Sequence, residues 1–135
     1  MAVFKNESGK TLATTGSEWK AQTFYTAPIL DLSCPTESGT TRSTANCSTI
    51  AVNEGSNCYG LHWKVPNNWM NENFNDSSWP DATTYTNATI GVNNKPSYTN
   101  FTDVFDDDPE DAEFIWSTYV ILDNKVIVRY TIKQQ

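Results

Sequence analysis

Lys125-Val126-Ile127-Val128-Arg129-Tyr130-Thr131-Ile132 lies close to the end of the chain and carries its clearest pattern. Val126, Val128, Tyr130 and Ile132 alternate with Ile127, Arg129 and Thr131, the period of two that sends successive side chains to opposite faces of a strand. β-branched and aromatic residues, which suit a pleated half-buried surface, fill most of the positions. The same pattern recurs upstream in shorter pieces. Residues 2–5 read as a strand followed by a turn at Glu7-Ser8-Gly9-Lys10. In Trp19-Lys20-Ala21-Gln22-Thr23-Phe24-Tyr25 the alternation puts Trp19, Ala21, Thr23 and Tyr25 on one face, and Pro28 then interrupts before a piece at 29–32. Further strands are expected at 59–65, ended by Pro66, at 83–85, at 90–92 and at 113–117. No stretch holds the helical period long enough for a helix of ordinary length, and 98–105 reads as one helical turn. Many short strands with turn residues between them predict an all-β fold, a jelly-roll-like antiparallel β-sandwich.

Composition agrees. The 135 residues are the usual size of one domain and enough to bury a core. Only 38% of residues are hydrophobic, but five Trp, six Tyr and six Phe supply large rings in place of many leucines. We read residues 1–135 as a single sandwich domain or a fragment of one, lacking N-terminal strands, with a long polar loop at 33–57. A loop of that length in a compact domain is uncommon and points to function or mobility.

The formal charge of −7 opposes phosphate backbones, so nucleic acid is not an expected partner. No apolar run approaches the roughly 20 residues that span a bilayer, and the first residues, Met1-Ala2-Val3-Phe4-Lys5, do not form a signal peptide. Other features point outside the cell. Asn-x-Ser/Thr triplets begin at Asn6, Asn46, Asn75, Asn87 and Asn100. Cys34, Cys47 and Cys58 share one polar stretch, which suits a bridge in an oxidising compartment. Cys47–Cys58 is the favoured pairing, Cys34–Cys58 the alternative, and three unbridged thiols the remaining reading. The expected location is extracellular or cell-surface, as a piece of a longer protein.

The second half carries a resemblance. Trp69-Met70 precedes Phe74-Asn75-Asp76-Ser77-Ser78-Trp79-Pro80-Asp81-Ala82, then Phe114-Ile115-Trp116, then the strand containing Arg129. Over about residues 66–132 this resembles galactose-binding-like β-sandwich domains, the jelly-roll modules attached to secreted glycoside hydrolases. The turn departs from that pattern at Asn75, where the family has Asp, and Ile132 replaces a terminal aromatic. The resemblance implies a structural role for Phe74, Asp76, Ser77, Trp79, Trp116 and Arg129. The residues themselves give the same role to the turn: Asp76 and Ser77 cap its backbone N–H groups while Phe74 and Trp79 fold inward. Residues 18–30 and 58–124 also resemble secreted modules of algae and marine microbes that have no assigned activity, sharing Trp-Lys-x-Gln-Thr-Phe-Tyr-x-Ala-Pro, Cys-Tyr-x-x-His and Phe-Ile-Trp-Ser.

Catalytic chemistry is hard to assemble. His62 is the one histidine and sits in an expected strand, where a hydrogen-bonded structural histidine is the simpler reading than a nucleophile's base. The carboxylates crowd together instead of facing each other across a cleft. Asp106, Asp107, Asp108 and Glu110 are either a solvated acidic surface or a calcium site, the latter encouraged by the structural calcium that sandwich modules of this type often hold. No other cofactor is expected. The function expected is therefore non-catalytic binding, with a glycan as partner. Tyr59, Trp63, Trp69, Asn67, Asn68 and Tyr98, on or beside loops, are the candidate contacts. The alternative is a structural or interaction domain that docks with other domains of a parent protein.

Overall fold

The computed structural model describes residues 1–48, 58–90 and 110–132. Among them the elements run β1 (Val3–Lys5), β2 (Thr11–Thr14), β3 (Lys20–Ile29), β4 (Thr36–Ser38), β5 (Thr41–Ser43), β6 (Tyr59–His62), β7 (Thr83–Tyr85), α1 (Asn87–Ile90), β8 (Phe114–Trp116) and β9 (Asp123–Arg129). The fold is all-β and every strand pairing is antiparallel. β3 is the central strand of a three-stranded sheet ordered β6-β3-β9, and β1-β2, β4-β5 and β7-β8 form two-stranded pairs around it.

β3 and β9 pair as Lys20↔Arg129, Ala21↔Val128 and Thr23↔Val126. Trp19, Ala21 and Ala82 are buried together, with Ile115, Val126 and Val128 packed against them. Ile115 belongs to β8, so the β7-β8 pair covers this face. The pleat sends Gln22 to the other face, where its amide donates to the carbonyl of Thr40. Phe24 meets Trp79 edge to face at 5.5 Å, and Trp79 meets Phe74 in the same way at 5.3 Å. The register slips between Thr23 and Tyr25. This bulge breaks the alternation expected through Tyr25, whose ring instead stacks on His62 at 4.1 Å. A Cβ at Gly60 would lie 2.8 Å from the Tyr25 ring, so a side chain there would displace it.

Pro28 does not end the strand. It falls within the irregularity between Thr26 and Ile29 in the β3-β6 register, where its missing N–H disturbs no regular ladder. The piece expected at 29–32 stops after Ile29, because Asp31 Oδ1 accepts the N–H and hydroxyl of Ser33 in a local turn. The strand expected at 59–65 ends at His62. Ile90 closes α1, which Thr86 begins by accepting the N–H of Thr89 on its hydroxyl oxygen.

The stretch 33–57 is not one long loop. It contains the β4-β5 hairpin, closed by Gly39-Thr40 with Gly39 at a φ of 61°, the left-handed conformation that tight hairpin turns require. Residues 49–57 lie outside the described residues. The hairpin also corrects the disulfide. The bridge joins Cys34 to Cys47, not Cys47 or Cys34 to Cys58. Cys34 precedes β4 and Cys47 follows β5, so the reversal brings their Cα atoms to 5.1 Å. Both pack beside Ile29 and Leu122, whereas Cys58 directly precedes β6, outside the hairpin.

A polar node ties the strands at this end. Asp123 is 1% exposed. Its carboxylate accepts the hydroxyls of Thr44 at 2.9 Å and Ser117 at 2.5 Å, and its carbonyl accepts the indole N–H of Trp116 at 2.8 Å. The ends of β5 and β8 are thereby fixed to the start of β9, with each buried acceptor satisfied.

Candidate functional site

One step beyond Lys20↔Arg129, the β3-β9 register sets Trp19 opposite Tyr130. Their rings stack at 5.1 Å, and Phe4 of β1 stacks on Trp19 at 5.6 Å. Phe4 is placed there by its hairpin. The N–H of Ala2 donates to the Thr15 hydroxyl at 2.9 Å, and the Trp19 indole N–H donates to the carbonyl of Thr14 at 2.7 Å. Three rings from distant parts of the sequence thus form one wall.

The facing wall is the turn at 69–72, held by Arg129. Its Nε donates to Asp76 Oδ2 at 2.8 Å, its Nη1 to the carbonyl of Trp69 and its Nη2 to the carbonyl of Asn71 at 3.3 Å. The guanidinium also lies 5.0 Å over the Phe74 ring. The cap expected from Asp76 and Ser77 is supplied by Asn75 instead: its Oδ1 accepts the N–H of Ser77 at 3.0 Å, which leaves the Asp76 carboxylate for Arg129. Between the walls runs an open groove of about 630 Å³. Trp69, Met70, Tyr130 and Ile132 line it with Asn71, Glu72 and Arg129. Phe4, Met70, Tyr130 and Ile132 all remain exposed, Met70 by 72%.

The candidate contacts read from the sequence do not form one site. Trp69 lines the groove, and Asn67 and Asn68 are exposed just before it in the same turn. Tyr59 pairs with Ile29 at the other end of β3, about 30 Å away at the usual rise of a strand. Trp63 is committed to the β4-β5 hairpin: its indole N–H donates to Glu37 at 3.0 Å and Arg42 lies 4.8 Å over its ring. Burial lowers the pKa of Arg42 from a guanidinium's ordinary value, with the charge of Glu37 opposing the shift. Tyr98 lies outside the described residues, as do Asp106, Asp107 and Asp108. Glu110 pairs with Lys5 at 3.5 Å. Among the described residues no group of three or more His, Cys, Asp or Glu side chains could hold a metal. Phe4, Trp19 and Tyr130 were not among the candidates, although Tyr130 shares a face with Val126 and Val128 and sits just past the end of their strand.

Comparison of the chain with models of protein families, with curated proteins and with solved structures finds no match. The functional reading therefore rests on the groove and on the residues that shape it.

Proposed function

We propose that the chain is a non-catalytic extracellular binding module of the galactose-binding-like, jelly-roll kind, and that it takes a glycan in the groove between the 69–72 turn and the Phe4–Trp19–Tyr130 stack. The observation that carries this is the pairing of exposed rings with an amide and a carboxylate, Asn71 and Glu72, along one open groove. Sugars offer C–H faces to aromatic rings and hydroxyls to such groups, and binding sites in general combine apolar walls with a few polar groups that fix orientation. The net charge of −7 favours a neutral sugar over an anionic polysaccharide. The Cys34–Cys47 bridge is compatible with an extracellular location.

A thermal melt against a panel of neutral sugars, run in calcium and again in chelator, tests the reading. A sugar bound only by the folded chain adds about 2.7 kcal/mol at a hundredfold excess over Kd. Trp69→Ala and Tyr130→Ala should abolish the shift, while Trp63→Ala, away from the groove, should keep it. A shift that survives both groove substitutions places the ligand elsewhere. The exposed Met70 and Ile132 favour a second reading, a protein-docking surface. It gains if no sugar moves a cooperative melt.

A further inference from the structure

We propose that Asn6 is an N-linked glycosylation site built into the β1-β2 turn. The triplet Asn6-Glu7-Ser8 is exposed throughout. The hydroxyl of Ser8 donates to Asn6 Oδ1 at 2.7 Å, and the backbone N–H of Lys10 donates to the same oxygen at 2.8 Å. The turn closes with the N–H of Asn6 donating to the carbonyl of Lys10 and that of Gly9 to the carbonyl of Asn6, both at 2.9 Å. Gly9 takes the positive φ of 81° that the turn requires. Every side-chain bond of Asn6 thus uses its oxygen, and among the described residues its amide nitrogen makes none. In the transfer, that nitrogen bonds to the anomeric carbon of a lipid-diphosphate-linked oligosaccharide. The bond from that carbon to the diphosphate oxygen breaks, the lipid diphosphate leaves with the electron pair, and one amide proton passes to a base. The oxygen remains an acceptor afterwards, so the turn keeps all its hydrogen bonds while carrying the sugar.

Two other triplets sit in different surroundings. In Asn46-Cys47-Ser48 the middle residue is buried in the disulfide. In Asn75-Asp76-Ser77 the amide oxygen accepts the backbone N–H of Ser77, and Asp76 is held by Arg129. The proposal rests on the extracellular reading only for where the modification occurs in nature. The test therefore supplies the compartment: the full chain is directed through the secretory pathway of a eukaryotic host and its peptides are weighed before and after an amidase that removes N-glycans and leaves Asp. The expected result is a glycan at Asn6 that is lost in Ser8→Ala and kept in Ser8→Thr, with the melting temperature equal to that of unglycosylated chain. A bare Asn6 in a secreted chain with Cys34 and Cys47 bridged would overturn the proposal, as would a glycan that survives Ser8→Ala or one that lowers the melting temperature.

Discussion

Arg129→Met removes the clamp that joins β9 to the 69–76 turn while keeping most of the side chain's apolar stem. Arg129 and Asp76 are mostly buried, with side chains 12% and 23% exposed. Losing a charge-assisted hydrogen bond of this kind costs about 1.5–3 kcal/mol, and the cation over Phe74 adds about 0.5–1 kcal/mol. The carbonyls of Trp69 and Asn71 lie near the surface and can turn to water, so they add little. Breaking a fully buried pair costs about 3–5 kcal/mol, and the residual exposure of Asp76 places this loss at about 2–4 kcal/mol. With a urea slope of about 1–3 kcal/mol per molar, the unfolding midpoint should fall by about 1–2 M. Asp76→Asn in both backgrounds completes a double-mutant cycle, whose coupling should be about 1–2 kcal/mol. A loss under about 1 kcal/mol, or a cycle with strictly additive terms, would refute the clamp. The same substitution frees one wall of the groove and should weaken any ligand bound there.

Trp79→Ala empties the space between Phe24 and Phe74 and should cost about 3–5 kcal/mol in a urea melt; full stability would remove Trp79 from the core. Replacing Cys34 and Cys47 by serine opens a loop with a sequence separation of 13 and should cost about 3 kcal/mol, whereas Cys58→Ser should leave the non-reducing disulfide map unchanged. Tyr85 supplies a pH test, since burial, reinforced by the charge of Asp123, raises its pKa above the ordinary 10.0 against a smaller opposing hydrogen bond with Thr83. The neutral phenol is thus favoured by folding: its contribution is complete below pH 10, the unfolded value, and is lost as pH rises through the higher folded value. Tyr85→Phe loses the hydrogen bond to the Ser117 carbonyl at 2.6 Å, about 1 kcal/mol at neutral pH, and should flatten the alkaline fall. An equal fall in both proteins would remove Tyr85 as its source.

What the sequence disclosed and what it hid follow one physical division. β9 was legible because Val126 and Val128 alternate with outward residues and meet an apolar cluster, and β8 because its short aromatic and β-branched run sets Ile115 against the same cluster. The β4-β5 hairpin, Thr36-Glu37-Ser38 and Thr41-Arg42-Ser43, has no apolar face at all. It is held by polar contacts to β3: Gln22 donates to the carbonyl of Thr40, and Arg42 donates to that of Thr23 at 2.7 Å while lying over Phe24. Hydrophobic periodicity cannot register an element bound in that way, and the cysteine pairing was misread because it depends on the hairpin's reversal. The groove was hidden for a different reason. Trp69 was visible as an aromatic residue in a turn, but its opposite wall comes from Phe4, Trp19 and Tyr130, brought together only when β1, β3 and β9 take their places. Tyr59 and Trp63 look equally suitable in sequence, yet one sits at the far end of β3 and the other is spent on Glu37 and Arg42. Residue type marks which side chains can bind a ligand. Register decides which of them share a surface, and here a single antiparallel step past Lys20↔Arg129 sets the ring pair on which the binding proposal stands.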